Sequence, residues 1–218
     1  MSNFPTETAE MVEVEVLECG NRRVEYRRDV YGFLKQQNPK SFDYSEAYQQ
    51  KQQTTSEMVK LRMGWLNLHI KGIKNMNVVE LGPGSGIFIK EASKYFRRLL
   101  PYNLVEPTIS KDELYCTTWD LCCAFDVVEH MEDIDKELFG VRAKYYYLSY
   151  PEYHDTPLKE WRHTKPDEHL WHLNIEGMRN FILGKAEIIA EGCPEDLIRK
   201  RWDPNLNNIT SVILKRIG

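Results

Sequence analysis

A chain of 218 residues is long enough to bury a core, and 42% hydrophobic with 28% charged residues is the balance of an ordinary globular protein. A formal net charge of -4 gives no overall positive field to draw in a polyanion, so the arginine groups at 22–23, 27–28 and 199–201 read as solvated faces. No apolar run reaches membrane-spanning length, and the first residues lack the basic stretch and apolar segment of a secretory signal. With an odd count of five cysteines, two of them inside an apolar run at Cys122-Cys123, the expectation is a soluble protein of a reducing cytoplasm.

In chain order, Met11 to Glu18 alternates apolar with acidic residues, Cys19-Gly20-Asn21 supplies a turn, and Arg23 to Arg27 alternates again. This predicts a β-hairpin that could pack on the main domain, cover a sheet edge or pair two copies in a homodimer. Residues 36–53 are polar and predict a surface linker, within which Tyr44 and Tyr48 are candidates to close over a ligand. Residues 1–53 therefore form an expected hairpin and lid segment, and 54–218 the main domain. Thr54 and Glu57 have capping-box spacing, so a helix should open there with Met58, Leu61, Trp65 and Leu68 on its core face.

Strand and helix signals then alternate. Val78–Leu81, Tyr102–Glu106, an abbreviated Leu114–Thr118, Leu121–Phe125 and Lys144–Ser149 read as strands, while Phe88, Ala92, Phe96 and Leu99 mark a helical stripe. Ile175 to Phe181 reads as a helix, and Ala186–Ala190 and Ile209–Leu214 as two last strands joined by a long loop. The pattern predicts an α/β fold with a mostly parallel doubly wound sheet, an antiparallel strand at its C-terminal edge and a small N-terminal hairpin.

The chemistry concentrates in three places. Glu80-Leu81-Gly82-Pro83-Gly84-Ser85-Gly86 follows a strand and precedes a helix, which is where glycines let a backbone turn sharply against a nucleotide-like ligand. Dinucleotide enzymes space their glycines G-x-G-x-x-G; here they fall at alternate positions behind an acid. Glu106, between Val105 and Pro107, stands where a carboxylate can accept from two ribose hydroxyls or cap a turn. Asp126, in Phe125-Asp126-Val127-Val128-Glu129-His130, stands at a strand's C-terminal end, where it could orient an acceptor, take its proton or cap the helix expected near Val128. Downstream, His154, Trp161, Arg162, His163, His169, Trp171 and His172 crowd one segment with imidazoles and flat rings suited to an acceptor pocket.

The E-x-G-x-G-x-G loop resembles the first motif of class I S-adenosylmethionine-dependent methyltransferases, within which the chain looks most like the ubiquinone-pathway and Methyltransferase-23 branch. The resemblance implies a Rossmann-like fold and S-adenosylmethionine as cofactor. It places Glu80, Gly82, Pro83, Gly84, Ser85 and Gly86 around the methionine half, Glu106 on the ribose, and Asp126 beside cofactor and acceptor. Asp126, His130 and His169 are the implied bases or orienters, Arg62 could reach the cofactor carboxylate, and Ser149-Tyr150-Pro151 is similar to an S-x-P turn lining the acceptor side. Asp126, Glu129, His130 and His169 also follow the order in which ubiquinone-pathway O-methyltransferases and Hen-type RNA 2′-O-methyltransferases hold a divalent metal, although the first of those acids is here the shorter Asp and many relatives keep the Glu-His pair without a metal, so S-adenosylmethionine alone is the cofactor implied. The expected reaction is methyl transfer to oxygen or nitrogen, with a small molecule favoured and nucleic acid or protein acceptors open. A non-catalytic cofactor-binding partner protein and a nicotinamide-dependent oxidoreductase are the rival readings, the latter opposed by the glycine spacing. The chain departs from the family pattern between Glu106 and Asp120, where the adenine-contacting loop is too short, and in lacking a Gly-Gly turn before Lys144.

Overall fold

The computed structural model describes residues 14–19, 22–39, 55–103, 107–202 and 208–218. Tyr44, Tyr48 and Glu106 lie outside them.

The hairpin forms as expected from β1 (Val14–Cys19) and β2 (Arg22–Arg28), antiparallel with Val16 opposite Glu25. Two short strands that the sequence does not announce extend it: β3 (Leu34–Gln36) pairs with β2, and β8 (Trp171–His172) pairs with β3. The resulting four-stranded sheet, β1-β2-β3-β8, draws the N-terminal segment onto the histidine-rich one. Arg22 and Arg28 fasten it there, on Asp167 and Asp155, so these arginines belong to ion pairs and not to a plain solvated face.

The main sheet has six strands in the order β5-β4-β6-β7-β10-β9. β4 (Asn77–Leu81), β5 (Arg98–Tyr102), β6 (Thr118–Phe125) and β7 (Arg142–Pro151) are parallel; β10 (Ile209–Arg216) runs antiparallel between β7 and β9 (Ala186–Gly192). Strand alternation splits the core between two faces. Leu121, Cys123 and Phe125 pack with Met63, Leu66 and Phe88 from α1 (Ser56–His69) and α2 (Ile87–Ala92). Cys122 and Ala124 pack on the other side with Leu114 of α3 (Lys111–Cys116) and Met178 and Phe181 of α4 (Ile175–Ile182).

Several expectations are corrected. α1 is capped by Thr55, whose hydroxyl accepts from the Met58 amide at 3.3 Å, and it buries Met58, Val59, Arg62, Met63 and Leu66, leaving Leu68 exposed. The true face is rotated because it includes an arginine. The second parallel strand starts at Arg98 and not at Tyr102, since the preceding helix stops at Ala92 and a single 3-10 turn over Ser93–Tyr95 leads straight into it. Pro101 is tolerated there because β5 is an edge strand, so the missing N–H takes no ladder bond away from the interior. The expected third strand, Leu114–Thr118, is instead mostly helix α3, started by the Ser110 hydroxyl, which accepts from the Glu113 amide at 3.0 Å. Tyr150 and Pro151 continue β7 and form no turn. The loop expected between the last two strands contains α5 (Asp196–Trp202).

Candidate functional site

The C-terminal ends of the parallel strands collect the residues singled out in the sequence, as the ligand edge of an open α/β sheet should. Gly82 follows β4, Asp126 follows β6, and because β10 runs antiparallel to β7, the β9–β10 connection with α5 lies at the same edge.

The glycine loop has its local cause in backbone angles. Gly82, Gly84 and Gly86 adopt φ of 59°, 52° and 71°, all in the left-handed region that a side chain disfavours, so the alternate spacing is a requirement of this turn. Gly82 is also crowded: a Cβ there would stand 2.6 Å from Val127 Cγ2, which brings the loop against the segment following Asp126. Gly84 and Ser85 remain exposed, so the loop presents backbone to solvent.

Beneath the loop, Glu80 is 4% exposed and its Oε2 has no hydrogen-bond partner. Burial pushes its carboxyl up to about 8, against a weaker opposing pull from Arg62. A buried acceptor without a donor is costly unless something supplies one, and a ligand ammonium does so. Loop and acid together therefore fit the amino-acid end of S-adenosylmethionine.

Asp126 sits in the left-handed region at φ 54°, unusual for a residue with a side chain and common at functional sites. Its amide donates to the Ser149 carbonyl at 2.8 Å, fixing the turn at the sheet edge. The carboxylate is held by Arg199, which also contacts Glu195, and Glu195 in turn accepts from Arg62 Nε at 2.7 Å. Arg62 is 1% exposed and its guanidinium lies 3.9 Å from the centre of the Phe125 ring. Burial alone would raise the Glu195 carboxyl, but Arg62 and Arg199 hold it down to about 2. Sequence reasoning missed this chain of charges. Arg199 was expected on a solvated face and is buried; Arg62, a candidate for the cofactor carboxylate or for plain helix packing, is buried and pairs with Glu195. The available signal was Glu195 four residues before Arg199, a helical pair spacing, although nothing local announces that both are buried.

His130 and His169 lie side by side, their ring centroids 4.8 Å apart and nearly perpendicular. The single 3-10 turn Val128–His130 replaces the helix expected near Val128 and delivers Glu129 and His130 to the same place. The histidine-rich segment is sewn onto this turn: Leu170 N donates to Glu129 O at 2.8 Å, Trp171 Nε1 donates to Met131 O at 2.6 Å, and His130 Nδ1 lies 2.8 Å from Glu168 O. Ligand atoms of Glu129, His130 and His169 lie within 4.8 Å of one another. Asp126 does not join that group, because Arg199 holds its carboxylate. Burial lowers the pKa of both imidazoles, that of His169 well below the usual range, so they are neutral near pH 7. His172 is buried apart from them, stacked on Tyr26 at 4.7 Å.

Sheet order, the antiparallel β10 and the alternate-glycine loop together define a Rossmann-like fold of the methyltransferase kind. Solved structures agree on the fold. An S-adenosylmethionine-dependent methyltransferase from Clostridium acetobutylicum superposes with a TM-score of 0.56 at 9% identity, over 80% of this chain and 98% of that one. Phosphoethanolamine N-methyltransferase 1 of Haemonchus contortus, in complex with phosphoethanolamine and S-adenosylhomocysteine, gives 0.50 at 15% identity, over 76% of this chain and 44% of that one. No family model and no curated protein sequence matches the chain. Among the described residues, no helix is long and apolar enough to cross a membrane.

Proposed function

We propose that this protein is an S-adenosylmethionine-dependent methyltransferase acting on an oxygen or nitrogen nucleophile, with a small molecule as the favoured acceptor. The observation that carries the reading is the buried, unpartnered Glu80 carboxyl under a loop whose three glycines all have positive φ. When bound, the cofactor supplies a sulfonium-activated methyl group, so the protein's task is to align the acceptor and exclude water. Glu80 accepts from the cofactor ammonium, the backbone of Gly82 to Gly86 shapes the methionine half of the site, and Glu106 is assigned to the ribose. Asp126, pre-set by its backbone turn and by Arg199, orients the acceptor. The negative net charge supports a small acceptor over a polyanion.

A thermal-shift panel of S-adenosylmethionine, S-adenosylhomocysteine, NAD and NADP tests the cofactor, and transfer of a labelled methyl group to pooled hydroxyl and amine metabolites tests the reaction. Stabilisation by the two sulfur nucleosides and transfer of label are expected. Stabilisation by nicotinamide cofactors alone would overturn the reading.

A further inference from the structure

We infer that the edge of the main sheet opposite the glycine loop docks this protein peripherally on an anionic lipid surface. β4, β5, β6, β7 and β9 all start at that edge and β10 ends there, since β10 runs antiparallel to both of its neighbours. Lys71 and Lys74 precede β4, Lys94 and Arg97 precede β5, and Arg142 and Lys144 open β7. All six are exposed, and none forms an ion pair among the described residues. The carboxylates nearby are already engaged: Glu113 with Arg98, Asp135 with Lys185, Glu187 with Lys215, and Asp120 with the Asn77 amide. A chain of net charge -4 therefore gathers uncompensated positive charge along one edge, which at about 4.8 Å per strand spans roughly 20 Å from β5 to β10.

Charge alone would suit any polyanion; the apolar side chains at the same edge choose among them. Leu183 and Leu68, at 82% and 71%, are the most exposed large apolar residues among those described, and Ile217 and Tyr95 are exposed as well. Leu68 lies in the last turn of α1, which leads into β4, and Leu183 follows α4 on the way into β9. Ile217 follows β10, its amide donating to Lys185 O at 2.9 Å, and Tyr95 lies in the turn before β5, between Lys94 and Arg97. Single exposed apolar residues are ordinary on a protein surface. Here they come from both faces of the sheet to one edge and alternate with the unpaired cations, and a phosphodiester backbone offers nothing to a leucine side chain. An anionic bilayer meets both groups: lysine and arginine sit among its headgroups, while leucine, isoleucine and tyrosine enter the interface. Lipid on this edge leaves Gly82 to Gly86 and Asp126, at the other ends of β4 and β6, facing away from the bilayer, so the acceptor reaches the site from water.

The test is co-sedimentation of the full chain with extruded vesicles, either of phosphatidylcholine alone or containing about one-third phosphatidylglycerol. At about 0.1 M salt the protein should pellet with the anionic vesicles and not with the neutral ones, and about 1 M salt, which shortens screening to about 3 Å, should release it. Each cation is worth about fivefold in partitioning, so Lys71→Gln, Lys74→Gln and Lys144→Gln together should weaken it about 100-fold. Leu68→Ser with Leu183→Ser should weaken it at least about tenfold at unchanged charge. Lys60→Gln, Lys111→Gln and Lys159→Gln remove the same charge from exposed sites away from the edge and should leave binding within about threefold of the wild type. All the substituted side chains are exposed, and circular dichroism checks that each variant is folded. Equal binding to both kinds of vesicle, binding to neither, undiminished binding by either edge variant, or equal losses in the edge and control lysine variants overturns the assignment. So does a chain that ignores anionic vesicles and binds a polyuridylate oligonucleotide through the same lysines, which would give the edge to nucleic acid. These readouts are independent of cofactor binding and of methyl transfer.

Discussion

Replacing Glu80 by Gln separates what the buried carboxyl costs the protein from what it does for a ligand. Its pKa rises from 4.5 in an ordinary carboxylic acid to about 8 here, because burial penalises the charge. Below pH 4.5 both folded and unfolded chains keep the proton. Between 4.5 and about 8 the unfolded chain releases it while the folded chain holds it, so stability falls as pH rises, by roughly 5 kcal/mol across the window. Gln has no proton to release, so between pH 5 and 8.5 the variant's urea-derived stability should decline less than the wild type's by an amount of that order. Ligand binding has the opposite dependence. An ammonium favours the ionised carboxylate, so binding S-adenosylmethionine near pH 7 should expel close to one proton, and affinity should increase about fivefold from pH 7 to pH 8 as the ionised fraction rises toward one half. Calorimetry in buffers of low and high ionisation enthalpy reads that proton directly. The variant should bind at least about tenfold more weakly and release none. Equal affinity and equal proton release in both proteins would refute the role given to Glu80.

The other predictions concern neighbouring parts of the edge. Gly82→Ala puts a Cβ 2.6 Å from Val127 Cγ2 at φ 59°, and should cost about 1–3 kcal/mol in denaturant melts as well as weakening cofactor binding. Glu195→Ala removes the carboxylate that pairs with the buried Arg62 and Arg199 and should lower stability by about 3–5 kcal/mol; a loss well under 1 kcal/mol would show that the ion pair is not formed as described. Burial lowers the His172 pKa to about 4 from 6.5, so its neutral form supports the fold above pH 6.5 and that support is lost as pH falls toward 4. His172→Phe should therefore flatten the acid side of the stability profile, by up to about 3 kcal/mol at pH 4, measured by melts in a pH series.

What the sequence made readable was local. The hairpin, the strands flanking the glycine loop, the apolar Cys122-Cys123 strand and helix α4 all carry their pattern within a few consecutive residues. The loop was readable for the strongest reason, since left-handed φ values select glycine at each of three alternate positions. What escaped depends on distant partners. β3 and β8 have three and two residues, and only their mutual pairing makes them strands. Arg62 and Arg199 look like surface residues in one dimension because burial of a guanidinium requires Glu195, Asp126 and the Phe125 ring, which come from three other elements or loops. The face of α1 was misassigned for the same reason. Helix α3 was taken for a strand because Leu114 to Thr118 is rich in residues that suit strands, while its start is set by the Ser110 cap just upstream.

The central claim is that the loop from Glu80 to Gly86 holds S-adenosylmethionine. Its most direct test is calorimetric titration of S-adenosylhomocysteine into the wild-type chain and into Gly84→Val, where the left-handed φ of 52° is denied to the new side chain while the exposed position spares the core. The wild type should bind one equivalent and the variant, still folded by circular dichroism, none. Undiminished binding in the folded variant, or no binding by the wild type, would contradict the account.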